Sequence, residues 1–167
     1  MINLQKDMDS AAEFAARCNI PDVWSKLGHS QLGDDDKVKD AMESFLKADD
    51  AEAYVAVIQR AEALELYDEL IMYLLMARKK VHVAIVDTEL VFCYAITNRM
   101  GDLETFVAAP NKAAIQDVGD KCFAVGTKPM YEAATTLFNA ISNNTKLAVC
   151  YVRLEKYREA VEAATKA

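Results

Sequence analysis

The fold is decided between residues 24 and 48. Trp24-Ser25-Lys26-Leu27-Gly28 is followed by Gly33-Asp34-Asp35-Asp36, and then by Val38-Lys39-Asp40-Ala41-Met42-Glu43-Ser44-Phe45-Leu46-Lys47-Ala48. In the last run Val38, Ala41, Met42 and Phe45 stand at i, i+3, i+4 and i+7. That spacing lays one apolar stripe along one helix face. Trp24, Leu27 and Gly28 repeat the first part of it upstream. Gly33 offers a helix stop, and three carboxylates then meet the positive end of the next helix. The stretch therefore predicts two amphipathic helices joined by a tight turn.

Outward from this hairpin the same period continues. Leu66, Leu70, Tyr73, Leu74 and Ala77 keep it, as do Met130, Ala133, Ala134, Leu137, Phe138 and Ile141. Leu147, Cys150, Tyr151 and Leu154 follow, then Tyr157, Ala160, Val161 and Ala164. No segment alternates with period two long enough to make a strand. The breaks carry start and stop chemistry. Pro21 and Pro129 suit a first helical turn, where a missing N–H costs nothing. Arg78-Lys79-Lys80 places cations at a helix's negative end. Gly101, Pro110-Asn111 and Gly126-Thr127-Lys128 mark further breaks. The prediction is about ten or eleven helices, each of about 10–16 residues.

A repeat underlies the series. Asp40-Ala41, Glu69-Leu70, Asp102-Leu103, Glu132-Ala133 and Glu159-Ala160 are offset by 29, 33, 30 and 27 residues. A period near 30 is the length of one helical hairpin, which cannot hide its apolar stripe alone and stacks on its neighbours. The expected fold class is all-α: a right-handed α-solenoid of about five stacked hairpins over residues 1–167, roughly 50 Å long at ~8–10 Å between helix axes. The first unit resembles the tetratricopeptide hairpin through Trp24, Leu27, Gly28, Ala41, Phe45 and Ala48. Its Trp-to-Ala spacing is one residue longer, and Gln31 replaces an aromatic.

Composition narrows the function. The chain has 167 residues, 26 acidic against 19 basic, and a formal charge of −7. Ala supplies 27 residues and Gly plus Pro only 8, too few turns for a sandwich or barrel. An apolar share of 53% excludes disorder. The acidic balance argues against nucleic acid and anionic membrane surfaces. No apolar run reaches the ~18 residues of a membrane span, and Met1-Ile2-Asn3-Leu4-Gln5-Lys6-Asp7 lacks the pattern of a signal peptide. Cys18, Cys93, Cys122 and Cys150 form no C-x-x-C pair; they are expected to be reduced and buried, in a cytosolic protein.

No catalytic, cofactor-binding or metal-binding residue is predicted. His29 and His82 lie in no ligand spacing and read as exposed or edge residues. A pH-sensing role for either at a protein contact is the minor alternative. Asp34-Asp35-Asp36 fails as a calcium loop: counting from Asp34, positions six and twelve are Lys39 and Phe45, where Gly and a bidentate Glu are needed. From Asp35 they are Asp40 and Leu46, which also fail. No nucleophile elbow, P-loop or Rossmann glycine pattern occurs. Trp24 reads as a hairpin core anchor, since Leu27 and Gly28 accompany it at packing spacing.

A family resemblance adds to this. Glu13-Phe14-Ala15-Ala16-Arg17-Cys18-Asn19, Val23-Trp24-Ser25-Lys26-Leu27 and Phe45-Leu46-Lys47-Ala48-Asp49-Asp50 resemble the leg of the clathrin heavy chain. So do Tyr73-Leu74-Leu75-Met76-Ala77-Arg78-Lys79-Lys80, Thr88-Glu89-Leu90-Val91-Phe92 with Thr97-Asn98-Arg99, Val118-Gly119-Asp120-Lys121-Cys122 and Lys156-Tyr157-Arg158-Glu159-Ala160. These pieces are collinear over nearly the whole chain. Val81-His82-Val83-Ala84-Ile85 and the loops at 33–36 and 126–128 depart from the pattern.

The resemblance implies a fragment of a much longer heavy chain. Its terminal hairpins would lack neighbours and tend to fray or self-associate. The role implied is structural, in the polyhedral coat of vesicles that serve endocytosis and intracellular transport, on their cytosolic face. Other heavy-chain legs are the implied partners; a clathrin light chain is a further one not assigned to this segment, and no direct membrane insertion is implied. Two rivals stand beside it. A tetratricopeptide-like adaptor or vacuolar-sorting tether subunit would show a groove lined by aligned polar anchors. A helical enzyme would need a pocket of convergent titratable groups.

Overall fold

The computed structural model describes residues 4–167; Met1 to Asn3 of the opening heptapeptide lie outside the described residues. Among the described residues there are eleven α-helices, one 3₁₀ turn at Asp35–Lys37 and no strand. Helices take up about three-quarters of these residues. The contacts divide the chain into two units, residues 1–82 and 83–167.

The first unit holds α1 (Leu4–Cys18), α2 (Pro21–Leu32), α3 (Val38–Ala48), α4 (Tyr54–Ala63) and α5 (Tyr67–Ala77). α2 and α3 form the hairpin read from residues 24–48; α1 packs on α2, α4 pairs with α5, and α5 also packs on α3. The stripe Val38, Ala41, Met42 and Phe45 is buried to within 1%. Across from it Leu70, Ile71, Tyr73 and Leu74 of α5 are equally buried. Burying each of the Val, Leu, Ile, Phe and Met side chains among them stabilises the unit by about 1.5–3 kcal/mol.

The second unit holds α6 (Ala84–Ile96), α7 (Met100–Ala108), α8 (Ile115–Val125), α9 (Lys128–Ala140), α10 (Asn144–Arg153) and α11 (Tyr157–Thr165). Its hairpins are α6–α7, α8–α9 and α10–α11, with α6 packed on α8, α7 on α9 and α9 on α10. The residue following the acidic one in each repeat pair, Ala41, Leu70, Leu103, Ala133 or Ala160, is buried. These five residues fall in α3, α5, α7, α9 and α11. The near-30 period therefore counts one helix of every hairpin. This is the stacked-hairpin packing of a helical solenoid.

The turns differ from expectation in how they are made. Gly33 is right-handed at φ −72°, and Asp34 caps the 3₁₀ turn by accepting from the Asp36 N–H at 3.0 Å. Gly101 lies inside α7, and the break before it belongs to Asn98, at φ 57°. Asp49, Glu65, Ser142 and Glu155 also take the left-handed conformation. Each of these five turns closes with the same bond: Asp50 N–H to Phe45 O at 3.0 Å, and Leu66 to Ala61, Arg99 to Tyr94, Asn143 to Phe138 and Lys156 to Tyr151, each at 2.9 Å. The pattern satisfies helix-end carbonyls, and at all five positions it is adopted by a residue other than glycine. Gly126, at φ 78° after α8, is the glycine stop that matches the reading.

Candidate functional site

The hairpin crossings set the geometry of both units. A Cβ on Gly28 would stand 2.9 Å from Cε1 of Phe45, and one on Gly119 would stand 2.7 Å from Cε1 of Phe138. Each glycine lets one helix lie against a buried phenylalanine of its partner. Gly28 was legible as a packing glycine; Gly119 was not, although Val118-Gly119 repeats Leu27-Gly28. Trp24 is 6% exposed and shares a cluster with Ala15 and Leu27. Its indole N–H donates to Asn19 Oδ1 at 3.3 Å, and the Lys47 ammonium lies 4.4 Å from its ring centroid. Gln31 is buried as well and accepts from Ser44 Oγ at 2.7 Å.

Polar groups tie the layers together within each unit. In the first, Asp50 of the α3–α4 loop accepts from the Ser25 hydroxyl and from the Glu52 N–H. His29 Nε2 lies 3.9 Å from the same Asp50 oxygen that Ser25 meets, and the imidazole stands edge-on to Phe45. Ser25, His29 and Asp50 thus meet, but the carboxylate lies between the other two. A hydrolytic triad needs the imidazole between hydroxyl and carboxylate, so this group is a loop anchor. Lys39 reaches Glu69 at 2.8 Å. Hydrogen bonding to Lys39 holds the Glu69 carboxyl below its ordinary range, and the same bond raises Lys39. Arg60 donates to Leu32 O at 3.1 Å and pairs with Asp35 at 2.6 Å; Lys80 pairs with Asp49 at 2.6 Å. The acidic run 34–36 is therefore a capped turn, and Lys80 of the cationic run is half of an ion pair. His82 is exposed.

In the second unit two neighbours on α6 pin the α7–α8 loop. Asp87 Oδ2 accepts from the Lys112 N–H and Thr88 Oγ1 from the Ala114 N–H, both at 2.9 Å. Asp120 of α8 holds Lys146 of α10 at 2.5 Å. The expectation of four buried thiols needs one correction. Cys93, Cys122 and Cys150 are buried, but Cys18 is exposed, because α1 reaches the core near it only through Ala15. All four are free. Burial pushes the Cys122 thiol up to about 12 and Cys150 to about 11, so neither supplies a thiolate nucleophile near neutrality.

The stripe on α11 is the second correction. Of its four residues only Ala160 is buried, joined by Ala163; Tyr157 and Val161 are each 63% exposed and Ala164 is exposed. α11 packs chiefly on α10, so a face only two alanines wide is enough to seat it. Among the described residues no group of three or more His, Cys, Asp or Glu side chains could hold a metal ion. No helix among them is long and apolar enough to cross a membrane.

Comparison with known proteins agrees with this architecture. Residues 45–167 match the clathrin family, defined as a region in clathrin and VPS proteins. The whole chain is 44% identical to a clathrin heavy chain of Drosophila melanogaster and 46% identical to a probable clathrin heavy chain 1 of Caenorhabditis elegans, over 167 residues in each case. It is 44% identical over 161 residues, 96% of its length, to clathrin heavy chain 2 of Homo sapiens. It spans 10% of each of these relatives. Buried positions that recur with the hairpin period, a glycine-on-phenylalanine crossing in each unit and identity along the whole chain together make this polypeptide a member of the clathrin heavy-chain repeat family.

Proposed function

We propose that residues 1–167 are a single α-solenoid segment of a clathrin heavy-chain leg, a non-catalytic strut in the polyhedral coat of transport vesicles, on their cytosolic face. The observation that carries the reading is identity of 44–46% along the whole chain to heavy chains, in one collinear register. The physics supports it. Polar anchors recur between successive hairpins within each unit, as Lys39–Glu69 and Arg60–Leu32 in the first and Asp120–Lys146 in the second. Such cross-ties resist sliding of one layer on the next. The buried residues are chiefly apolar and serve packing. The partners on this reading are other heavy-chain legs, with a light chain as a further candidate. Collinear identity to heavy chains favours this over a tetratricopeptide-like adaptor.

A chimera tests it. The corresponding segment of an assembly-competent clathrin heavy chain is replaced by residues 1–167, and cage formation is followed by electron microscopy. Closed cages with ordinary edge lengths are expected. Well-folded trimers that form no cages would overturn the reading.

A further inference from the structure

One face of α5 is left over by the packing of its own unit. Only Asp68 and Glu69 of its eleven residues are not apolar. A helix that is apolar all round is ordinarily buried all round. α6 obeys the rule: it is comparably apolar, and nine of its thirteen residues are buried. α5 packs on α3 and α4 and buries five of its eleven, Leu70, Ile71, Tyr73, Leu74 and Ala77. Met72, on the opposite face, is 58% exposed, and Leu75 and Met76 beside it are only partly buried.

This face has ends of opposite charge. Asp68, Met72 and Leu75 stand at i, i+4 and i+7, and Lys79 follows at i+11 in the turn that closes the helix. That is the spacing of a narrow helix–helix seam. Asp68 and Lys79 are both exposed. Their neighbours Glu69 and Lys80 are engaged within the unit, with Lys39 at 2.8 Å and Asp49 at 2.6 Å. The seam is complementary to itself turned end for end. About a two-fold axis between Tyr73 and Leu74, Asp68 falls opposite Lys79 of a second copy and Met72 opposite Leu75, at both ends alike. A parallel copy would set Asp68 on Asp68 and Lys79 on Lys79. The unbranched methionines can adapt to the facing helix.

We propose that this face docks antiparallel on the same face of a second copy of the chain, with Met72, Leu75 and Met76 in the seam and an Asp68–Lys79 pair at each end. The proposal rests on the leg reading for its source: the second copy is a neighbouring leg. One face of one helix buries well under the ~1,200 Å² of a stable interface, so a single contact is weak, with an expected dissociation constant of about 0.1–0.5 mM. Such contacts gain strength when legs held side by side repeat them, because the second contact forms at a high effective concentration.

Sedimentation equilibrium of the 167-residue chain tests this. The average mass is expected to rise toward that of a dimer between about 0.05 and 1 mM. Met72→Lys places an ammonium group from each copy in the seam and should raise the dissociation constant at least about tenfold. Asp68→Lys sets Lys against Lys79 and should raise it about threefold, and Asp68→Lys/Lys79→Asp should return it to within about twofold of the parent. Positions 68, 72 and 79 are exposed, so these variants keep the fold, which circular dichroism checks. A monomer throughout the range overturns the proposal and leaves the face to a different protein. Unaltered association in Met72→Lys overturns it in favour of another surface, such as the exposed residues of α11. A double variant that associates no better than Asp68→Lys overturns the antiparallel pairing. No cage takes part, so failure here leaves the leg reading standing, while a dimer here beside a chimera that forms no cages would strike the leg reading alone.

Discussion

Gly119→Ala and Gly101→Ala form a matched pair that isolates the packing of one hairpin. Both glycines lie in helices of residues 83–167, so one unfolding transition reads both. Replacing a helical glycine with alanine stabilises by about 0.5–1 kcal/mol in open space. Nothing lies within 4 Å of a Cβ on Gly101, so Gly101→Ala should gain about that amount. At Gly119 the new Cβ would stand 2.7 Å from Cε1 and 2.8 Å from Cζ of Phe138. Carbon pairs rest at about 3.5–4.0 Å, so ring and helix must part by roughly 0.8 Å or more. Phe138 is 1% exposed, so the ring that must yield is enclosed by protein. Overpacking of this kind costs about 1–3 kcal/mol. Gly119→Ala should therefore destabilise by up to about 2 kcal/mol, and the difference between the variants returns the packing cost.

The assay is urea and thermal unfolding followed by far-UV circular dichroism. Each kcal/mol corresponds to about 4–8 °C in Tm for a unit of this size. Adding Phe138→Leu to Gly119→Ala should recover part of the loss, seen as coupling in a double-mutant cycle. If Gly119→Ala melts at or above Gly101→Ala, the α8–α9 crossing is not governed by that contact and the reasoning fails.

Three further outcomes are expected. Glu65 and Glu155 sit at φ 56° and 58°, where a side chain costs about 1 kcal/mol, so Glu65→Gly and Glu155→Gly should each raise the urea midpoint; a fall would show that the side chain matters more than the backbone. The Lys39 bond depresses Glu69 in the folded state, so its stabilisation is present above the unfolded carboxylate range and lost as pH falls through the folded value. Lys39→Ala should therefore lose less stability than the parent between about pH 7 and pH 3, and an unchanged acid sensitivity would remove the pair from the account. With Ellman's reagent near about pH 8, where an ordinary thiol is partly ionised, Cys18 should react rapidly and the three buried cysteines only after unfolding; fast reaction of more than one thiol in the folded state would contradict the burial.

Helix content, the hairpin period and most of the core were legible in the sequence. Both core stripes and repeat spacing follow from local geometry: a 3.6-residue turn fixes which side chains share a face wherever the chain is helical. Val38, Ala41, Met42 and Phe45 are buried as that rule requires. The family was legible for the same reason, since collinear identity is a property of residues in order. Other features depended on what each helix meets. The turns at Asp49, Glu65, Asn98, Ser142 and Glu155 were hidden because residues other than glycine take the left-handed backbone there. Tyr157, Val161 and Ala164 of the α11 stripe lie outward, because its neighbour needed only Ala160 and Ala163. Cys18 lies in the open while three chemically identical thiols are sealed in. Sequence determined which faces are apolar; tertiary structure decided which of them find a partner, because burial is a property of pairs of surfaces and not of one.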